Sequence, residues 1–241
     1  MSIEIDEVLR QHLTARVQQG LAMVHEEIRA QGIEPAKITI VAVTKGWGPE
    51  APLAGLANGL SWFGENYADE LVVKATAVQQ VLNENDLGYG YVPSPSWTFQ
   101  GKLQSNKINR LKGLVALWQT IDSIERAQVL GKRVPGAASL IQVVLDRSGG
   151  RSGCGFDEVA EVLGAARKVG LDVQGFMGVA PDTALHGVQA ATQAFARLRD
   201  LAQSQGLDVL SMGMSDDYGL ALSQGATHLR LGSVLFGSRT Q

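Results

Sequence analysis

The amino-acid sequence predicts an α/β fold, a single closed (β/α)8 TIM barrel that spans residues 1–241 as one domain. Three observations predict it: eight segments have strand character, helical patterns separate them, and 241 residues suffice for eight such units. The alternative is an open doubly wound sheet. The sequence disfavours it, because the Gly-x-Gly-x-x-Gly turn that usually follows the first strand of such a sheet is absent.

The predicted elements follow one another in a regular order. A helical pattern covers about residues 5–30, with apolar residues at spacings of three and four. The segment ITIVAVTKG (38–46) is a β-branched run of the kind found in strands buried on both faces. Further strand-like segments lie at 61–66, 96–103, 117–122, 138–146, 173–180, 209–215 and 227–233. The clearest helical patterns between them cover 68–85, 157–170 and 188–206.

Two Gly-rich loops are predicted within this alternation. The first, at 86–96, also contains Pro and Tyr and is typical of a surface loop. The second, at 146–155, follows the fifth strand, where barrel enzymes place ligand-binding loops. It contains Cys154, the single cysteine, which excludes an intrachain disulfide and which we interpret as an unreactive thiol.

Composition excludes several classes of partner. The net charge is −3 and the basic residues are spread along the chain, so nothing indicates a nucleic-acid surface. No run of about 18 apolar residues predicts a membrane span, and the N-terminus lacks the apolar core of a secretory signal. We therefore expect a cytoplasmic protein. The four histidines lie far apart and give no metal-ligand spacing.

Lys45 ends the first predicted strand. Lysines are rarely buried without a task, and desolvation at a strand end would lower the pKa of this lysine and favour a nucleophilic amine. A lysine that extends from the barrel mouth into solvent fits the same position. Asn66 ends the second predicted strand, where it either donates to a ligand oxygen or caps the following helix, and local sequence favours the cap.

The last two strands end in segments that suit an anion. In SMGMSDD (211–217), Ser215 offers a hydroxyl and a backbone N–H, although a plain strand-to-helix turn also explains the segment. In LRLGSVLFGSR (229–239), Gly232 and Ser233 would present N–H groups at the start of a short final helix. Arg230 lies two residues earlier on the same strand face as Gly232, where it could either reach a ligand or form a structural ion pair.

Taken together, these segments are more specific than any one of them. AVTKG, FGENY, GKLQSNK, TIDS, SMGMSDD and LRLGSVLFG occur in this order along the chain. With these motifs the chain resembles the pyridoxal phosphate homeostasis family from about residue 5 to residue 239. The resemblance implies a fold similar to the N-terminal barrel of alanine racemase and pyridoxal 5′-phosphate (PLP) as the cofactor.

The resemblance also implies roles for single residues. It places PLP as a Schiff base on Lys45, its phosphate at Ser215 and at the Gly-Ser after the last strand, and its pyridine nitrogen at Arg230. An arginine there stays protonated and weakens the ring as an electron sink. The full set of implied cofactor-binding residues is Lys45, Asn66, Met214, Ser215, Arg230, Gly232 and Ser233.

The function implied by the resemblance is that of a binding protein in vitamin B6 homeostasis. We expect a monomer that carries or sequesters PLP, delivers it to apo-enzymes and has little or no catalytic activity. Alanine racemase has a second domain that supplies an acid-base residue, whereas this chain ends at Gln241, so no second domain is expected. The alternatives are a weak PLP-dependent amino-acid racemase, for which Tyr67 and Tyr218 are the nearby phenols, and a barrel that has lost its cofactor, against which Lys45, Ser215 and Arg230 argue.

The sequence departs from the family pattern at several positions. Thr98 and Gln100 stand in the third-strand motif, Gly46-Trp47-Gly48-Pro49 follows Lys45, and Val144 replaces an asparagine on the fifth strand. Arg147 and Arg151 occupy a loop that is usually acidic. None of these positions is an implied cofactor anchor, so the departures concern the pocket mouth and any partner surface.

Overall fold

A computed structural model describes residues 5–84, 93–146 and 152–238 and shows a closed barrel of eight parallel strands in sequential order. The strands are β1 (Thr39–Val43), β2 (Trp62–Glu65), β3 (Ser96–Phe99), β4 (Val115–Ile121), β5 (Ala138–Val144), β6 (Asp172–Val179), β7 (Val209–Ser211) and β8 (His228–Leu231). Closure is made by β8, which pairs with β1 in parallel. The predicted barrel is confirmed, and the open-sheet alternative is wrong because no strand is left at an edge.

Helices surround the barrel and connect its strands. They are α1 (Glu7–Ala30), α2 (Glu50–Ala57), α3 (Ala68–Asn83), α4 (Ser105–Leu111), α5 (Ile124–Arg133), α6 (Val159–Lys168), α7 (Thr183–Gln205), α8 (Tyr218–Ser223) and α9 (Ser233–Phe236). The four helical patterns predicted from apolar spacing correspond to α1, α3, α6 and α7. Helix α7 begins earlier than predicted, because a non-helical Gly187 with φ 81° joins a short first turn to the longer part.

Two separate groups of buried residues stabilise the fold. The larger one lies between the helices and the outer face of the barrel and includes the apolar stripe of α1 from Leu13 to Ile28. The smaller one lies inside the barrel, where Leu117, Leu140 and Met177 come from three different strands and pack together. Full burial of one such side chain contributes roughly 1.5–3 kcal/mol. The apolar interior closes the barrel below the polar ends of the strands.

Helix α1 supports the short helix α9 from outside. The two helices pack so closely that a Cβ atom added to Gly20 would lie 2.3 Å from the carbonyl oxygen of Val234. Only glycine allows this approach, and any larger residue would push α9 away from its position after β8. A residue in the first helix therefore helps to fix a turn at the far end of the chain.

The predicted loops lie partly outside the described residues. Residues 85–92 of the first loop region and 147–151 of the second are not described, and they include the departures at Arg147 and Arg151. In the described part of the second loop, Cys154 bridges to β5 and is 2% exposed. Burial raises the pKa of its thiol to about 12, as expected for an unreactive cysteine.

The described residues contain no feature of a membrane span or of a metal-binding cluster. No helix there is long and apolar enough to cross a membrane. Within the same residues, no group of three or more histidine, cysteine, aspartate or glutamate side chains is placed to hold a metal ion.

Candidate cofactor site

The carboxyl ends of the strands surround a cavity of about 780 Å³. Barrel enzymes place their sites at this end, because each strand there leads into a loop that can carry polar side chains. All seven residues predicted for the cofactor line this cavity: Lys45, Asn66, Met214, Ser215, Arg230, Gly232 and Ser233. They come from the ends of β1, β2, β7 and β8, so residues 45 and 233 meet only because the barrel closes.

Lys45 follows the last residues of β1 and points its side chain at the cavity. It is partly buried, and within the described residues its ammonium group has no hydrogen-bond or ion-pair partner. The next residue but one, Trp47, contacts Phe236 of α9 with ring centroids 6.2 Å apart. The Lys45 loop is therefore packed against α9, while the amine itself is available to a ligand.

Next to the Lys45 loop lies a group of three charged side chains, the buried Glu65 and Lys74 and the partly exposed Glu70, which we call the Lys74 cluster. The ammonium of Lys74 is 2.6 Å from Glu65 Oε1 and 3.0 Å from Glu70 Oε2. The side chains of Lys74 and Glu65 are 3% and 0% exposed. Burial raises the pKa of Glu65, although the neighbouring Lys74 opposes this shift. Within the described residues, Glu65 Oε2 has no hydrogen-bond partner.

Arg230 points from β8 into the barrel and is 5% exposed. Its guanidinium donates to the Ser211 carbonyl oxygen at 2.5 Å, to Ser211 Oγ at 2.9 Å and to the Gly178 carbonyl oxygen at 2.8 Å. Burial lowers its pKa to about 10, and the charge of Asp217 opposes the shift. The arginine therefore stays protonated at neutral pH, and the groups that hold it are oxygens of β6 and β7 rather than a carboxylate.

Ser215 and the start of α9 form a set of donors at the opposite side of the cavity from β4 and β5. The Ser215 hydroxyl oxygen accepts the N–H groups of Gly232 at 3.3 Å and Val234 at 3.1 Å. The backbone N–H of Ser233, between them, has no hydrogen-bond partner among the described residues. Ser215 Oγ thus occupies two of three successive N–H groups, and the Ser233 N–H and the Ser215 O–H remain as donors that an anion can use.

The turn that carries Ser215 depends on a glycine and an aspartate. Gly213 has φ 91°, in the region that favours glycine, and an added Cβ would lie 2.6 Å from the Cβ of Ala221. Asp217 occupies the N-cap position of α8, but its carboxylate accepts the Met214 N–H at 2.5 Å instead of capping the helix. Asp217 thus stabilises the turn that precedes α8.

The structure contradicts the cap interpretation of Asn66. The N-cap residue of α3 is Tyr67, and no side chain caps this helix. Asn66 lines the cavity instead, and its Oδ1 atom is buried without a hydrogen-bond partner among the described residues. A buried amide oxygen without a hydrogen-bond donor is unfavourable by about 1–3 kcal/mol. A ligand that donates a hydrogen bond to Asn66 Oδ1 would remove this cost.

Sequence comparisons agree with this geometry. The model of the alanine racemase N-terminal domain family matches residues 25–240. A pyridoxal phosphate homeostasis protein of Pseudomonas aeruginosa is 33% identical over 90% of this chain and 92% of its own length. One of Deinococcus radiodurans is 35% identical over 90% and 97% of the two chains. The chain belongs to the pyridoxal phosphate homeostasis family.

A solved relative has the same fold. PipY of Synechococcus elongatus, whose structure was determined with PLP bound, superimposes with a TM-score of 0.73 at 26% identity. The match covers 92% of this chain and 100% of that chain. The similarity therefore extends over the barrel and is not confined to the motifs at its carboxyl end.

The cavity of this family member is also lined by polar residues to which the sequence analysis assigned no role. Gln100, Thr120, Asp122 and Gln142 line the wall formed by β3, β4 and β5. Polar residues at the ends of predicted strands are the signal that could have found them, because those ends meet in a barrel. Two of the family departures, Gln100 and Val144, also lie in this wall, so the departures reach the cavity itself and not only its mouth.

The two phenols nominated for acid-base catalysis are not among the cavity-lining residues. Tyr67 is 57% exposed. Tyr218 packs against the outer core, and burial, with the charge of Glu27 of α1 adding, raises its pKa. In this family member, therefore, neither phenol faces Lys45 across the cavity.

Proposed function

We propose that this protein binds PLP in the cavity, holds it as a Schiff base on Lys45, and acts in PLP homeostasis as a carrier or buffer. One observation supports this most directly: the Lys45 amine, which has no partner among the described residues, shares a cavity with the donors around Ser215 and α9. The relatives named pyridoxal phosphate homeostasis proteins and the PLP-bound PipY support the same ligand.

The residues present fit the chemistry of this ligand. PLP supplies an aldehyde, which condenses with a primary amine with loss of water, and a phosphate group. Lys45 provides the amine, while the N–H groups of Gly232 and Ser233 and the Ser215 hydroxyl provide donors for the phosphate. Asn66 and Met214 would contact the cofactor from the sides. In this proposal Arg230 faces the pyridine nitrogen.

Two features favour a carrier over an enzyme. Arg230 keeps its charge near neutral pH, since its pKa is about 10, and a cation at the ring nitrogen opposes protonation of the ring. The phenols at Tyr67 and Tyr218 do not line the cavity, so they cannot move a proton at a substrate carbon opposite Lys45. We therefore propose little or no catalysis and delivery of PLP to apo-enzymes.

A transfer assay tests the carrier function. Protein loaded with PLP and freed of excess cofactor is mixed with an apo-enzyme that requires PLP, and the recovery of enzyme activity is followed. We expect recovery at a rate set by release from Lys45, and none from protein whose cofactor has been fixed by borohydride. Rapid deuterium uptake at the α-carbon of an amino acid in deuterated water, at roughly one turnover per second or faster, would instead indicate a racemase-like enzyme.

The proposal includes three further statements about the chain. Residues 1–241 form one PLP-binding barrel domain, the protein is a monomer, and it resides in the cytoplasm. A single cooperative unfolding transition, light scattering during size-exclusion chromatography, and cell fractionation test these statements in turn.

A further inference from the structure

We propose that the Lys74 cluster positions Lys45, so that Glu65, Glu70 and Lys74 control how completely bound PLP becomes covalently attached. The inference rests on the proposed function, because it concerns the Schiff base on Lys45. None of the three side chains lines the cavity, so each would act through the main chain of the Lys45 loop rather than by touching the cofactor.

The first support is that the cluster binds both peptide groups that flank Lys45. The Thr44 carbonyl oxygen, on one side, accepts from Lys74 Nζ at 2.7 Å. The Gly46 N–H, on the other side, donates to Glu70 Oε2 at 2.7 Å. Since Lys74 and Glu70 also bind each other, the two anchors form one rigid unit, and the residue between them cannot rotate its main chain freely.

The second support is that the unit is tied to the barrel wall. Glu65, the last residue of β2, accepts from Lys74 Nζ and from Thr44 Oγ1 through the same oxygen, both at 2.6 Å. The Thr44 N–H also donates to the Gly64 carbonyl oxygen at 3.1 Å. The Lys45 loop is thereby fixed to the adjacent strand through side-chain and main-chain bonds.

The third support is the difference between the two lysines. An ammonium group has three N–H donors, and Lys74 uses three acceptors: the Thr44 carbonyl, Glu65 and Glu70. Lys74 therefore cannot serve as the amine for an aldehyde, whereas Lys45 has no partner among the described residues. One lysine is consumed in holding the main chain of the other.

Stability alone gives a poor reason for such a cluster. Buried ion pairs can often be replaced by apolar residues of similar volume without loss of stability, because desolvation of the charges offsets their attraction. Positioning gives a better reason: a fixed main chain removes part of the conformational entropy that Lys45 would otherwise lose on forming a bond, and it aims the amine at the aldehyde carbon.

The test compares two probes in variants at Glu70, the most exposed member of the cluster. PLP reports covalent plus non-covalent binding, while pyridoxine 5′-phosphate, which has an alcohol in place of the aldehyde, reports non-covalent binding alone. Glu70→Ala removes the acceptor of the Gly46 N–H, and Glu70→Gln keeps an oxygen there. Glu161→Ala, at an exposed glutamate of α6, is the matched control.

We expect Glu70→Ala to weaken PLP binding about tenfold, as for loss of one charge-assisted hydrogen bond, with pyridoxine 5′-phosphate affinity unchanged. Glu70→Gln should recover most of the loss, and the control should match wild type. Equal weakening of both probes would overturn the inference in favour of a merely structural cluster, and so would unchanged PLP affinity. A wild-type protein that binds pyridoxine 5′-phosphate without reacting with PLP would instead overturn the proposed Schiff base, and the inference would fall with it.

Lys74→Met supplies a second variant with a larger effect. It removes the donor to the Thr44 carbonyl oxygen and the cation that binds Glu70, and it leaves Glu65 buried without its ion-pair partner, so a loss of thermal stability is expected as well. The informative quantity is again the ratio of the two affinities, measured below the unfolding temperature. A ratio that shifts against PLP supports positioning, and a ratio equal to that of wild type contradicts it.

Discussion

The cavity has one cation on each of two flanks, and the protein holds them in opposite ways. On the β1–β2 flank, Lys45 has a fixed main chain but an amine without a partner among the described residues. On the β7–β8 flank, Arg230 has a guanidinium bound to two carbonyl oxygens and a hydroxyl. The first arrangement leaves a reactive atom available, and the second prevents a side chain from moving.

This difference follows from what each residue type does best. Lysine is a flexible chain that ends in a nucleophile when it loses its proton, so it can react with an aldehyde only if its end is unbound. Arginine keeps its charge and offers a rigid fork of donors, so it is useful when it is bound on several sides. The two flanks therefore separate a chemical task from an electrostatic one.

The largest effect is expected from a substitution on the β1–β2 flank. Lys45→Ala should abolish the fraction of PLP that borohydride fixes to the protein, while phosphate contacts still permit weaker, dialysable binding. The PLP held by the protein before dialysis measures total binding, and the pyridoxyl group that remains after borohydride reduction and dialysis measures the fixed fraction. The control is Lys132→Ala, at an exposed lysine of α5. Undiminished fixation in Lys45→Ala would show that another lysine carries the cofactor.

The second-largest effect is expected from a substitution on the β7–β8 flank. Arg230→Met removes the donors to the Ser211 and Gly178 carbonyl oxygens and should lower the free energy of unfolding by about 2–3 kcal/mol. Urea denaturation without PLP measures the change, and Arg167→Met, at an exposed arginine of α6, is the control. Stability equal to that of wild type would contradict the view that this arginine is structurally committed.

The stability of the protein is expected to depend on pH through a histidine of β8. His228 begins β8, and burial, with the charge of Arg230 adding, lowers its pKa from 6.5 to about 4. In the unfolded chain, therefore, His228 takes up a proton near pH 6.5, whereas in the folded protein it does so only near pH 4. Stability should fall by up to about 3 kcal/mol as the pH drops from about 6.5 to about 4.

Denaturation midpoints across that window check the pH prediction. His228→Asn should reduce the fall in stability, whereas His12→Asn, at an exposed histidine of α1, should leave it unchanged. In Arg230→Met the pKa of His228 should move back toward 6.5, because one cause of its shift is gone. If the stability of His228→Asn falls by the full amount over this pH range, groups other than His228 cause the fall.

The smallest expected effect concerns the anion donors. Ser215→Ala removes the hydroxyl that accepts the Gly232 and Val234 N–H groups, so stability without ligand should fall by about 1 kcal/mol. Pyridoxine 5′-phosphate should bind several-fold more weakly than to wild type, as measured by calorimetry, and Ser223→Ala serves as the control. Unchanged affinity would mean that the phosphate lies elsewhere.

The sequence was sufficient to predict the architecture and one part of the cavity lining, but not the wall formed by β3, β4 and β5. Strand alternation gave the eight units. The positions of Lys45, Ser215 and Arg230 near strand ends made them candidates, and the resemblance to the family assigned them to the cofactor. The short helices were less visible, because α2 has seven of its eight residues buried and so lacks the one-sided apolar pattern that reveals α1. A helix covered on all sides has no periodic signature.

The Lys74 cluster shows what local patterns miss. A signal was present, since Glu70 and Lys74 are four residues apart on a predicted helix and Lys74 shares its buried face with Leu71 and Val78. The main-chain anchors on either side of Lys45 were not predictable, because they join β1 to α3 across the barrel wall. The cap interpretation of Asn66 was wrong for a related reason: local sequence cannot show that a cavity lies beside a helix start.

The most direct test of the account is to locate the attachment point on the wild-type protein. PLP-loaded protein is reduced with borohydride and digested, and the modified peptide is identified by mass spectrometry. The account predicts a pyridoxyl group on Lys45 alone, since its amine has no partner in the described part of the chain while that of Lys74 binds three acceptors. A pyridoxyl group on Lys74, or on Lys102 across the same cavity, would contradict it.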